Sequence, residues 1–188
     1  MKLYGSLTSP YVRKLRLLTN FDLVAMNIYE ADREKLKKIS PVMKIPVLEI
    51  DGAYLYDSRV IFNELVNRGL HPQLNWERQN LLSVIDGAMD SLINRFLLKR
   101  SNIELDPTSV LGRSHGDRLS LSFAHLEEAA GKEKFEEWDF PSMSLYALMD
   151  WSLFRELQSY EKFPSLVKFH AAQSHRPRVA ETDPRRAV

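Results

Sequence analysis

The chain has 188 residues, 44% of them hydrophobic and 27% charged, enough for one domain of ordinary size or two small ones with a sizeable core. Lys plus Arg number 26 against 25 Asp plus Glu, a net charge of +1, so no strong field is available to hold a polyanion and nucleic acid is not an expected partner. Cysteine is absent, which removes structural disulfides, zinc-thiolate sites and any redox chemistry carried by the protein's own sulfur. Met1 to Leu18 carries Lys2, Arg13, Lys14 and Arg16 and lacks the apolar core of a signal peptide. No apolar run reaches transmembrane length, so a soluble cytoplasmic protein without a membrane partner is expected.

In chain order, residues 2–5 predict a short strand. Ser9 directly before Pro10 is a helix start, with Ser9 as cap and Val12, Leu15 and Leu18 facing a core. On these residues alone Ser9 needs no other role, because capping serines far outnumber catalytic ones. Residues 23–29 predict a second strand and residues 32–39 a short polar helix whose Lys35, Lys37 and Lys38 form a solvated face.

The stretch KIPVLEIDGAYLYDS, residues 44–58, is the most informative. Val47 to Ile50 favours β structure, Asp51-Gly52 is the preferred two-residue hairpin turn, and Ala53 to Tyr56 supplies the returning strand. Pro46 opens the first of these strands, where its missing N–H does least harm, and the Ile45-Pro46 bond is expected trans from the residues alone. Asp57-Ser58 stands before Val60, Ile61, Phe62 and Leu65, whose spacing is helical, so one of the two caps a helix. The order through about Arg68 is β-α-β-α-β-β-α, and Gly69 to Gln73 follows as a linker.

From Trp76 the pattern is helical. Leu81, Leu82, Ile85, Ala88, Met89, Leu92, Ile93, Phe96 and Leu97 recur at three- and four-residue intervals along one long amphipathic helix. Residues 101–116, with Pro107, Gly112 and Gly116, predict turns; residues 117–130 a helix; residues 132–138 a charged connection. A further helix starts at Pro141 and runs through Leu157, with Ser142 as its cap, and is apolar nearly all round in its early turns, as a buried helix is. The chain closes with Phe163-Pro164 and a helical pattern, then Arg176-Pro177 through Thr182-Asp183-Pro184.

A hydrophobic residue before a proline, then strand, hairpin and Asp-Ser cap, resembles the glutathione-binding half of glutathione transferases. The opening strand, Ser-Pro and basic helix resemble the bacterial serine-type members. The resemblance runs from Met1 to about Pro184 and includes the segment Asp86 to Asp90 and the terminal Arg-Pro segment. It implies an α/β thioredoxin-like domain at 1–70 that binds glutathione, and an all-α domain at 71–188 that receives the second substrate. It implies that the Ile45-Pro46 bond is cis, turning the main chain of Ile45 toward a ligand that pairs as an added strand. Ser9 is then the hydroxyl that holds the sulfur of glutathione, with Thr8 as the fallback. Asp57 and Ser58 hold the γ-glutamyl end, and Lys44 meets the glycine carboxylate. The family's central helix opens with Ser or Thr followed three residues later by Asp; here Ser142 is followed by Leu145, so half of that capping box is missing.

A thiol that arrives with a ligand suits a chain with none of its own. The expected activity is conjugation of glutathione, a co-substrate rather than a cofactor, to a small hydrophobic electrophile by a homodimer, in detoxification. A non-catalytic binding protein of the same fold and a glutathione-dependent peroxidase are the alternatives. The five histidines show no zincin spacing, so no metal is expected, and no Gly-x-Ser-x-Gly, Walker or dinucleotide motif occurs.

Overall fold

The computed structural model describes residues 1–187. Its residues cluster into two units, Met1–Leu74 together with the segment from Arg176 onward, and Asn75–His175. The expected division at 70/71 is therefore corrected at the C-terminal side, where the last stretch belongs to the first unit. The physical reason is a buried arginine, Arg13, whose acceptors lie in that stretch.

In the first unit, strands β1 (Lys2–Gly5), β2 (Asp22–Ala25), β3 (Val47–Ile50) and β4 (Ala53–Tyr56) form one sheet in the order β2-β1-β3-β4. β1 runs parallel to β2 and antiparallel to β3, and β3 and β4 make the expected hairpin. Asp51 and Gly52 both have positive φ, 50° and 79°, as a turn of the primed type requires. Helices α1 (Pro10–Leu18), α2 (Arg33–Ile39) and α3 (Ser58–Asn67) complete the unit.

Because side chains alternate across a strand, the sheet has two apolar faces. Tyr4 and Val47 join Met26 with Leu36 and Ile39 of α2 on one. Leu3 and Leu48, paired across β1 and β3, face the other way and are fully buried, as are Val12 and Leu15 of α1 and Ile61 and Leu65 of α3. β2 is shorter than the run of residues 23–29. Asn27 ends it by a local turn: its carbonyl accepts from Glu30 and Asp32 N–H, and its own N–H donates to the Asp32 carboxylate at 2.8 Å. α3 ends with Gly69 at φ 71°, where Gly69 N–H donates to Val66 and Leu70 N–H to Leu65, a Schellman closure.

The second unit consists of α4 (Trp76–Arg100), α5 (Val110–Gly131), α6 (Phe140–Phe154) and α7 (Pro164–Gln173). α4 packs on α5 and α6, and α7 on both of those. α5 begins at Val110 rather than Asp117. Ser109 caps it, accepting from Gly112 N–H at 3.0 Å, so the two glycines read as turn residues lie inside a helix. α6 is buried on every side through Ser152, as its sequence predicts.

The cap of α6 is corrected from Ser142 to Asp139. Its carboxylate accepts from Ser142 N–H at 3.1 Å and from the Ser142 hydroxyl at 3.0 Å, and forms a two-point ion pair with Arg78 of α4. The missing half of the capping box is thus replaced by a charge-assisted contact from another helix. α7 has no side-chain cap of its own; Glu127 of α5 accepts from Ser165 N–H at 2.8 Å and Leu166 N–H at 2.9 Å instead. Burial, the largest influence on Glu127, opposes ionisation, but the amide donors outweigh it and its carboxyl lies below the usual range.

Candidate functional site

The sheet register brings three loops together. Tyr4 of β1 lies opposite Val47 of β3, and Val47 opposite Tyr56 of β4. β1 therefore ends where β3 begins and β4 ends. The stretch Ser6 to Ser9, the pair Ile45-Pro46 and the pair Asp57-Ser58 leave the sheet at this one end.

Ser9 is the N-cap of α1, with φ −77° and ψ 128°, and its hydroxyl oxygen accepts from Val12 N–H at 3.4 Å. Its carbonyl accepts from Arg13 N–H at 2.9 Å, the first bond of the helix. A hydroxyl has one proton to give, and among the described residues no acceptor takes that of Ser9. Thr8 is engaged differently: its hydroxyl is 3.1 Å from that of Ser6, and its N–H donates to Ser6 Oγ at 3.3 Å. The Ser6 carbonyl also accepts from Ser9 N–H at 3.1 Å. Ser6 thus shapes the turn that presents Ser9, a role its isolated place in the sequence does not disclose. The only signal for it is a hydroxyl two residues before another, the pattern of a serine turn.

The Ile45-Pro46 bond is cis, as the family resemblance implies and against the expectation from the residues alone. The side chain of Ile45 packs against the cluster of Tyr4, Met26, Leu36, Ile39 and Val47. Its main-chain N–H and C=O have no hydrogen-bond partner among the described residues. An apolar side chain anchored in the core and an unpaired backbone make an edge onto which an extended peptide can pair. Lys44, beside it, is exposed and without an ion pair among the described residues, while its carbonyl accepts from the buried Ser40 hydroxyl at 3.2 Å.

Asp57 has φ 76° and ψ 135°, a conformation that costs a residue with a side chain about 1–3 kcal/mol. Its exposed carboxylate accepts from Arg59 N–H at 2.7 Å, and Ser58, 2% exposed, starts α3. The arrangement sets a carboxylate beside the positive end of a ten-residue helix. Nearby, Tyr4 donates to the Glu49 carboxylate at 2.5 Å; that bond first and burial second push its phenol up to about 12, so it stays protonated and is no candidate base.

The arrangement can bind a short extended peptide at its edge, hold a charged end at α3 and offer one hydroxyl proton at the start of α1. Among the described residues no group of three or more His, Asp and Glu is placed to hold a metal ion, and no helix is long and apolar enough to cross a membrane.

Residues 3–69 match the family model described as glutathione S-transferase, N-terminal domain. Solved structures extend the likeness to almost the full chain. A glutathione S-transferase from Methylobacillus flagellatus KT, solved with glutathione bound, is 22% identical, with 97% of this chain and 98% of that one covered and a TM-score of 0.81. A glutathione transferase family member from Pseudomonas fluorescens Pf-5, with bound glutathione, is 26% identical over 97% and 98% of the two chains, TM-score 0.79. A glutathione S-transferase from Methylobacterium radiotolerans, in complex with glutathione sulfonate, is 18% identical over 97% and 94%, TM-score 0.81. No curated protein matches the sequence.

Proposed function

Since residues 3–69 belong to the glutathione S-transferase N-terminal domain family, we propose that the chain binds glutathione and conjugates its thiolate to a small hydrophobic electrophile. The observation that carries the reading is the convergence of an unpaired Ile45 backbone, the Asp57-Ser58 helix start and an undonated Ser9 proton at one end of the sheet. Glutathione lies along Ile45-Pro46 as an added strand. Its cysteinyl amide groups pair with Ile45, its γ-glutamyl ammonium meets Asp57, and its γ-glutamyl carboxylate meets Ser58 and the free N–H groups of α3. Lys44 is in reach of the glycine carboxylate. That the structures from Methylobacillus flagellatus and Pseudomonas fluorescens hold glutathione supports the ligand assignment.

A free thiol has a pKa near 8.5 and is mostly protonated at neutral pH, and each unit of lowering corresponds to about 1.4 kcal/mol of preference for the thiolate. Ser9 donates its proton as a hydrogen bond to the sulfur while still accepting from Val12 N–H, and the positive end of α1 adds to it. The thiol proton leaves to solvent. The thiolate then forms a carbon–sulfur bond to the electrophile, which releases its leaving group or takes up a proton. No covalent intermediate with the protein forms; the gain is proximity and thiolate stabilisation. The working form is a homodimer, which light scattering would reveal as twice the chain mass.

The deciding test is retention on immobilised glutathione followed by conjugation of a chloronitrobenzene probe. Retention with thioether formation is expected. Retention without a product would leave a binding protein, hydroperoxide turnover without conjugation a peroxidase, and failure to bind would end the reading. At Ser9, replacement by Ala should leave glutathione affinity nearly intact while raising the bound thiol's pKa by about one to two units. An unchanged pH–rate profile would reject Ser9 and turn attention to Thr8.

A further inference from the structure

The segment from Arg176 onward returns to α1, the helix that carries Ser9. Arg13 is only 2% exposed, and its guanidinium donates from Nε to Thr182 Oγ1 at 3.3 Å and from Nη2 to the Val179 carbonyl at 3.3 Å. Thr182 Oγ1 in turn donates to the Arg178 carbonyl at 2.7 Å, which closes the returning segment on itself. Arg178 Nη1 donates to the Arg16 carbonyl at 3.3 Å, in the last turn of α1. Val179 and Thr182 are both buried. The helix is thus gripped at two points on successive turns.

A nine-residue helix is marginal by itself, so its placement depends on what packs against it. The grip is also connected to the cap by the shortest route available, since the N–H of Arg13 donates to the Ser9 carbonyl. A planar guanidinium fixes direction as well as distance, because its two donors leave in set directions. We infer that the returning segment is a positioning device: Arg13 and Thr182 set the place of α1, and through it the point at which the Ser9 hydroxyl meets sulfur. This rests on the assignment of Ser9 as the donor to the thiolate. Neither Arg13 nor Thr182 is given contact with glutathione; displacement of a donor by about 1 Å suffices to lose most of its effect on a reacting atom.

The test uses the full chain and Thr182→Val, which keeps the shape and removes the hydroxyl. The pKa of glutathione's thiol in the complex is read from thiolate ultraviolet absorbance against pH, and affinity from calorimetry with S-methylglutathione, which has no thiol to ionise. Thr182→Val should lower the thiol ionisation constant by about threefold or more while the S-methylglutathione Kd stays within about twofold. Thr182→Ser should restore the wild-type titration, and in a Ser9→Ala background Thr182→Val should add nothing. An unchanged titration in folded Thr182→Val, a serine variant that behaves like the valine one, or an undiminished effect in the Ser9→Ala background would each overturn the inference. If Ser9→Ala by itself leaves the titration unchanged, the donor assignment fails, and the inference with it. Should Thr182→Val not fold, Arg13→Lys is the second variant: it keeps the charge and loses the two-point geometry, and a wild-type titration there would show support without positioning.

Discussion

His115 on α5 is 4% exposed, and neither ring nitrogen has a hydrogen-bond partner among the described residues. Burial first, then the charges of Arg118 and Arg95, hold its pKa below the ordinary value, so the ring is neutral in the folded chain. As pH falls below about 6.5 the unfolded chain takes up this proton first, and folding stability drops until the folded imidazole titrates as well. A leucine of similar size removes both the unsatisfied nitrogens and the proton. His115→Leu should therefore raise stability at pH 7 by about 1–2 kcal/mol. Urea midpoints of the two proteins should draw further apart from pH 7 to pH 5. His71, depressed by burial and by Arg178, contributes a slope of the same sign in both proteins. The sequence left His115 undistinguished from the other four histidines, since its burial depends on an α5 that starts earlier than the glycines suggest.

At the scale of elements, those glycines differ in what surrounds them. A Cβ on Gly112 would stand 2.0 Å from the Asp106 carbonyl oxygen, whereas nothing lies within 4 Å of one on Gly116. Gly112→Ala should cost about 1–3 kcal/mol by forcing backbone apart. Gly116→Ala, at an exposed position inside the same helix, should gain about 0.5–1 kcal/mol. Thermal melts of the pair would move in opposite directions. The cap of α6 is as discriminating. Asp139 and Arg78 are largely buried, so Asp139→Ala leaves a guanidinium without its partner and should cost about 3 kcal/mol. Ser142→Ala removes a hydroxyl whose partners, the Asp139 carboxylate and the Arg78 guanidinium, keep each other, and should cost less, about 1–1.5 kcal/mol. Equal losses in denaturant titrations would restore the serine as the principal cap. Sequence spacing favoured Ser142 because a capping box is a local pattern, while Arg78 lies 61 residues from the carboxylate it supports.

For the whole molecule, what could be read in advance follows the range of the interactions. The hairpin, the Ser9 helix start, the helix from Trp76 and the buried character of α6 are each specified by neighbours in sequence and appear as read. The candidate site was legible through the family resemblance, which singled out Ser9, Ile45-Pro46 and Asp57-Ser58, and strand pairing gathers these at one end of the sheet. The return of the last segment was not legible. Arg13 looks like any basic residue of a surface helix, and its acceptor on Thr182 is 169 residues away.

That return leaves the helical unit, about a hundred residues from Asn75 to His175, with both of its ends fastened to the same body. If it unravels while the first unit stays folded, it does so as a closed ring rather than a free tail. Closing a ring of this length limits the disordered state by about 4 kcal/mol of chain entropy. Loosening Arg13 from Thr182 would thus make the four helices easier to melt without altering one contact among them.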